Sequence, residues 1–329
     1  MPRPPRLHIQ HRPLMEFCNR VCQGFGLLLP DPELNLLIVG ALAKSQEQFP
    51  MPIHGGQILG GHFHLLGSPA DVRQQAGFMA LFTRRLSLIV GRRHAWQGSI
   101  FPSRYRATEI SIEEKAQAAR LKYVLGNGCK EGLVASPLDW PGVPFAESLV
   151  TGRPLQGIWI DHEALYAARR RGQTVSERDF TRSIELRLTP LPCWAHLSRH
   201  GQQHAVRELV RAIEKETASM HQVDRTLPAG PKRVVAADPW IKRPLQAVPC
   251  PWVYARSREM AVLLREGLKV KVAAYRKAAE RLRSGDRTVQ FPPNCFPPSL
   301  PFEPHKTDLP TSTVPGTPQK KKPKIRDGD

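Results

Sequence analysis

Apolar side chains return at helical spacing just after residue 31, where PDPELNLLIVGALAKSQ sets Leu34, Leu37, Ile38, Ala41 and Leu42 on one stripe. Asp31 and Pro32 mark the start: an acceptor side chain for free N–H groups, then a residue whose fixed φ suits the first turn. Before this helix, residues 14–29 carry strand-like runs broken by CQGFG; after it, residues 52–66 predict an extended segment. Ser68, Pro69 and Asp71 cap a second helix that runs to about Val90 and turns Arg73, Arg84 and Arg85 to its polar side. Residues 95–110 predict one or two short strands. SIEE at 111–114 has the form of a capping box, and the helix it opens runs to about Asn127, where Gly128 ends it. The loop GLVASPLDWPG then leaves this unit near residue 150.

Further on, helical patterns occupy residues 176–187 and 202–220, followed by a Pro-rich crossing over 228–251. A long amphipathic helix spans 257–284, with Met260, Leu264, Leu268, Val272, Tyr275, Ala279 and Leu282 on one stripe and Gly285 as its stop. Its basic side is that of a solvated helix packed on its own domain, with a nucleic-acid contact as the alternative. Beyond FPPNCFPPSLPFEP the tail is poor in apolar residues and predicts disorder, and its KKKPK run suits phosphates without choosing a sequence.

At 329 residues the chain is long enough for two domains. Its 48 Lys plus Arg against 29 Asp plus Glu leave a formal charge of +19, which suits a polyanion and nucleic acid first; a basic surface with a basic tail is the plainer account. The six cysteines form no C-x-x-C pair, which argues against a zinc ribbon or a disulfide framework and for reduced thiols. Neither a signal-peptide core nor a long apolar window is found, so the expected location is the cytoplasm, away from membranes.

GGHFHLLG places His62 and His64 on one face of a strand, with Phe63 on the other. Two imidazoles aimed together are half of a metal site, although the same pair also occurs as ordinary hydrogen-bonded or surface histidines. In KYVLGNG, Tyr123 and Asn127 are one helical turn apart and share a face. A carboxamide oxygen can complete a cation's ligand set and a phenol can act as a covalent nucleophile; a tyrosine on a helix is otherwise a core residue.

In order, GGHFHLLGSPAD, WQGSIFPSRYRA and YVLGNGCKEGLVASPLDWPG resemble the REP-associated tyrosine transposases of the HUH single-strand endonuclease superfamily, over residues 10–150 or so. The resemblance implies an α+β fold: a ferredoxin-like (RRM-like) antiparallel sheet with helices on one or both faces. It implies a catalytic domain over 1–150, to which a mainly helical extension over 151–305 and a disordered basic tail over 306–329 are added. It implies Mg²⁺ or Mn²⁺ on His62, His64 and Asn127, and Tyr123 as nucleophile for cleaving and rejoining DNA through a 5′-phosphotyrosine link. The implied partner is single-stranded or hairpin DNA, bound by a monomer or homodimer. Arg84, Arg85, Trp96, Arg104 and Arg106 are candidates for contacting it, since single strands offer phosphates to cations and bases to aromatic rings. Trp96 is equally a core anchor, and paired arginines equally solvate a helix. The chain departs from the family pattern at Gly61, where Asn or Asp usually precedes the first histidine, and at Gly128, where proline usually follows the asparagine. A DNA-binding protein that no longer cuts is the alternative function, and a metal hydrolase that activates water is a third.

Overall fold

The alternation in LMEFCNR makes a strand that turns Phe17 to one side and Glu16 and Cys18 to the other. A computed structural model describes residues 5–242 and 251–298 of the chain. The basic tail expected over 306–329 and residues 243–250 of the Pro-rich crossing lie outside the described residues.

After a short β1 (Arg6–Leu7), the chain runs β2 (Leu14–Arg20), α1 (Pro32–Gln48), β3 (Ile53–Leu59), β4 (His62–Gly67), α2 (Val72–Arg93), β5 (Arg106–Ile110), α3 (Glu114–Leu125), α4 (Asn127–Lys130) and α5 (Phe145–Thr151). There follow β6 (Leu155–Ile160), α6 (His162–Arg170), β7 (Thr181–Leu186), α7 (Arg199–Asp224), α8 (Pro231–Val235), β8 (Val253–Tyr254), α9 (Arg258–Arg283) and β9 (Cys295–Phe296).

The fold is α+β. Its main sheet has the order β3-β4-β2-β5-β8. From β2 to β5 the chain traces β-α-β-β-α-β with β4 and β2 paired at the centre, all antiparallel, which is the ferredoxin-like arrangement. Parallel β8 is added outside β5. One face is apolar: Phe17 packs edge-on to Tyr105, and Phe63 packs edge-on to Phe82 of α2 and to Phe101. Phe17, Phe63, Phe78 and Phe82 are fully buried, so this layer is the core that fixes the register of β2 and β4. The opposite face receives α3.

Asp31 caps α1 by accepting the N–H of Leu34, and Asp71 caps α2 through the N–H groups of Arg73 and Gln74. The segment over 52–66 folds as a hairpin, because Gly60 and Gly61 turn it between β3 and β4. Within 95–110 only residues 106–110 are strand. At the start of α3 the cap is Glu113 rather than Ser111, whose hydroxyl donates to the Glu113 carboxylate at 2.6 Å. That carboxylate also accepts the N–H groups of Arg256 and Ser257, tying α3 to the start of α9.

The helix expected over 176–187 is not formed. A 3-10 turn over Glu177–Phe180 leads into β7, where buried Ile184 and Leu186 alternate with exposed neighbours, and period-two burial overrides the helical spacing. The β6–β7 hairpin packs on α1 so closely that a Cβ on Gly40 would stand 1.9 Å from the Ile158 carbonyl oxygen. The helix α9 is shallowly seated: of its apolar stripe only Leu264 and Ala279 are buried, with Ala278 beside them. The described residues up to 297 belong to one compact unit. Among the described residues no helix is long and apolar enough to cross a membrane.

Candidate active site

Alternation along β4 sends His62 and His64 to the face beneath α3, and cross-strand pairing sets Cys18 opposite His64 and Arg20 opposite His62. The two imidazoles stand edge to face, centroids 5.1 Å apart. His62 Nε2 lies 3.9 Å from Glu131 Oε1. His64 is buried, with Nδ1 on Glu16 Oε1 at 2.6 Å and Nε2 facing Cys18 Sγ at 4.0 Å.

Glu16 is the hub of this face. Its second oxygen accepts from the guanidinium of Arg120, so one buried carboxylate joins the β4 histidine to α3. Burial alone would lower the His64 pKa, but the contacts with Cys18 and Glu16 outweigh it and raise the imidazole to about 9. Burial alone would likewise raise the Glu16 pKa, yet His64 and Arg120 together hold it below the usual carboxylate range.

Tyr123 sits one turn beyond Arg120 on α3. Its ring meets His64 edge-on at 5.8 Å between centroids, and the Arg120 guanidinium lies over it at 4.3 Å. Lys130 from α4 approaches the same ring at 5.3 Å. Tyr123 is 36% exposed, so the phenol is reachable from solvent while one side rests on the histidine face. Burial raises its pKa above the ordinary phenol value, with Arg120 acting in the opposite direction.

The helix expected to carry both Tyr123 and Asn127 ends at Leu125, and Asn127 opens the separate turn α4. Asn127 is buried, and its Nδ2 has no hydrogen-bond partner among the described residues. A Cβ on the next residue, Gly128, would lie 2.9 Å from the Trp140 ring and 3.5 Å from Gln57 Nε2. Trp140 thus explains why glycine follows the asparagine. Gln57 is the cross-strand partner of His64, so the start of α4 adjoins the histidine strand. At Gly61 a Cβ would meet only the Phe25 carbonyl, at 3.5 Å, so the imidazoles gain no support there and take it from Glu16 instead.

The two imidazoles and the Asn127 carboxamide are groups of a kind that could hold a divalent cation. Glu16 on Nδ1 orients the ring of His64 and leaves Nε2 as the ligand atom, the carboxylate–imidazole arrangement common to metal-binding histidines. Among the described residues no group of three or more His, Cys, Asp or Glu is placed to hold a metal ion, so a site built on this pair would need a donor of another type, such as a carboxamide oxygen.

The five candidate DNA contacts separate. Arg106 pairs with Cys18 across β2 and β5 and therefore shares the histidine face. Arg84 and Arg104 line a recess with Asn19, which belongs to the opposite face of the sheet. Arg85 is pinned elsewhere: it pairs with Glu163 at 3.2 Å and lies 4.8 Å over the Trp159 ring. Trp96 joins an aromatic group, stacked on Trp240 at 6.0 Å and edge-on to Phe25 at 5.5 Å.

Glu16, Cys18 and Arg120 were not among the expected site residues. A carboxylate inside LMEFCNR was the available sign, since a charge on a buried strand implies a partner. Arg120 precedes Tyr123 by three residues, which places the two on one helical side.

No protein-family model matches the chain, and no curated protein matches it. A solved structure of a REP-associated tyrosine transposase bound to a REP hairpin is similar to it at 18% identity, over 46% of this chain and 87% of that one, with a TM-score of 0.36.

Proposed function

We propose that this chain cleaves and rejoins single-stranded DNA beside hairpins, with Tyr123 as the nucleophile. The observation that carries this reading is the approach of Tyr123 to the histidine pair, 5.8 Å between the Tyr123 and His64 rings, from a helix and a strand distant in sequence. The phenol oxygen attacks phosphorus, the bond to the 3′ oxygen breaks, and the strand leaves with a 3′-hydroxyl that has gained a proton while the 5′-phosphate stays on Tyr123. Because one phosphodiester replaces another, a second 3′-hydroxyl reverses the step without an external energy source. His62, His64 and the Asn127 carboxamide would hold Mg²⁺ or Mn²⁺, whose charge offsets that of the phosphate oxygens. Glu16 keeps the His64 ring in place, and Arg120 and Lys130 flank the phenol where negative charge builds during attack.

DNA binding without cutting is a second reading, favoured by Gly61, where no side chain stands beside the first histidine to support it. Incubation with Mn²⁺ and hairpin-flanked single strands separates the two. A covalent protein–DNA band that disappears in Tyr123→Phe is the expected result. A band that survives this substitution would overturn the nucleophile, and binding with no band across many substrates would establish the second reading.

A further inference from the structure

We infer that a cavity between α5, the segment after β7 and the first turns of α7 binds a nucleotide, its phosphate on three arginines and an amino-bearing base on two glutamines. The cavity has a volume of about 350 Å³, within the range of small-ligand sites, which begins near 300 Å³. Arg153, Arg187 and Arg199 line it, Arg187 also pairing with Glu185 outside the lining at 3.0 Å and Arg199 donating to the Gly152 carbonyl at 3.0 Å. Guanidinium groups are planar donors matched to phosphate oxygens, so three around one hollow select an anion. Arg153 has no side-chain hydrogen bond or ion pair among the described residues, which leaves its donors for a ligand.

The rest of the lining sets the other half of the ligand. Leu188 and Trp194 give apolar wall suited to a flat ring. Gln202 spends its amide N–H groups on the carbonyls of Trp194 and Leu197, at 3.2 and 2.8 Å, and Gln203 donates to the Thr151 carbonyl at 3.0 Å. Gln202 retains only its carbonyl oxygen for a ligand, an acceptor for the exocyclic amino group of adenine and not a donor to the O4 of thymine, while Gln203 retains its carbonyl oxygen and one N–H. Gly152 makes the wall possible: its φ is +70°, and a Cβ there would stand 2.6 Å from Gln203 Nε2 and 2.9 Å from Arg199 Nη2.

This site is distinct from the tyrosine. Leu121 lines the cavity, and Leu121 and Tyr123, two residues apart on α3, project to opposite sides of the helix. Its occupation does not depend on Tyr123 acting as a nucleophile.

Calorimetric titration of the full chain with dAMP, dTMP and inorganic phosphate tests the inference, beside a 5′-phosphorylated oligo(dA) strand. The expected result is dAMP or oligo(dA) binding about tenfold tighter than inorganic phosphate, and about fivefold tighter than the thymine counterpart. R153A/R187A should weaken it about tenfold with an unchanged Tm, while R170A/R171A, which removes the same charge on α6 and just after it, should not. If dAMP and oligo(dA) both bind, the cavity takes free nucleotide; if only the strand binds, with the same arginine dependence, it takes a nucleotide within DNA. Affinity that is indifferent to R153A/R187A, equal for thymine and adenine, or lost equally in R170A/R171A would overturn the assignment.

Discussion

Glu16 and His64 meet at 2.6 Å as diagonal neighbours on β2 and β4, a buried carboxylate holding a buried imidazole. Because Glu16 also receives Arg120, removing its charge leaves the Arg120 guanidinium and the His64 ring without their shared partner beside Tyr123. Breaking one member of a buried ionic group costs about 3–5 kcal/mol. Glu16→Gln should therefore lower unfolding free energy by roughly 3 kcal/mol in urea titrations, and adding Arg120→Met should restore part of that loss. A double variant as unstable as the sum of its single changes would show that Arg120 and Glu16 are energetically independent.

His54 should make the protein acid-sensitive. Its Nδ1 donates to the carbonyls of Thr189 and Pro190 at 3.0 and 2.7 Å, and Nε2 accepts from the Ser68 hydroxyl at 2.8 Å, so the neutral ring is the one that fits. Burial lowers its pKa from 6.5 to about 4. Between these values the unfolded chain binds a proton that the folded chain refuses; the stabilisation is present above pH 6.5 and lost as pH falls through 4. The shift corresponds to about 3 kcal/mol, and His54→Gln should flatten the pH dependence of Tm over that window.

Gly40→Ala should detach the β6–β7 hairpin from α1. Here backbone meets backbone: a Cβ on Gly157 would lie 2.5 Å from the Gly40 nitrogen. Overpacking of this kind costs about 1–3 kcal/mol when side chains can yield, and a carbonyl cannot. Hydrogen exchange should show lost protection at Ile158 and Ile160 before the rest of the sheet opens, whereas uniform loss would mean that the hairpin and sheet unfold together.

Arg106 and Arg85, indistinguishable by sequence, should behave differently. Arg106→Ala should weaken single-strand binding and reduce the salt slope by about one. Arg85→Ala should leave that slope alone and instead lower Tm, because this guanidinium lies over Trp159 and pairs with Glu163. Filter binding from low to high salt measures the first, and thermal denaturation the second.

The chain announces its helices well because Asp31, Asp71 and Ser257 supply caps that act within a few residues. The two imidazoles of β4 were equally legible, since period two alone puts them on one face. The β6–β7 hairpin was not: Thr181–Leu186 becomes a strand only by pairing with Leu155–Ile160 and packing on α1, which local spacing does not record. The break between Leu125 and Asn127 escaped notice for a similar reason, as Gly126 is a tolerable helix residue until the C-terminal turn forms around it. Glu16 and Arg120 lie 104 positions apart, and their meeting requires the whole sheet.

The short strand β8 has a practical cost for anyone who would trim the molecule. Backbone N–H groups of Glu109 and Ser111 donate to the carbonyls of Trp252 and Tyr254, both at 2.9 Å, and Tyr254 also stands 5.4 Å from the Arg120 guanidinium. A fragment ending near residue 150 would have a raw margin along β5, open to docking by a second chain, and Arg120 would lose a neighbour. Amputation at that point leaves a sticky sheet edge, so failure of such a fragment to cut DNA would say nothing about Tyr123.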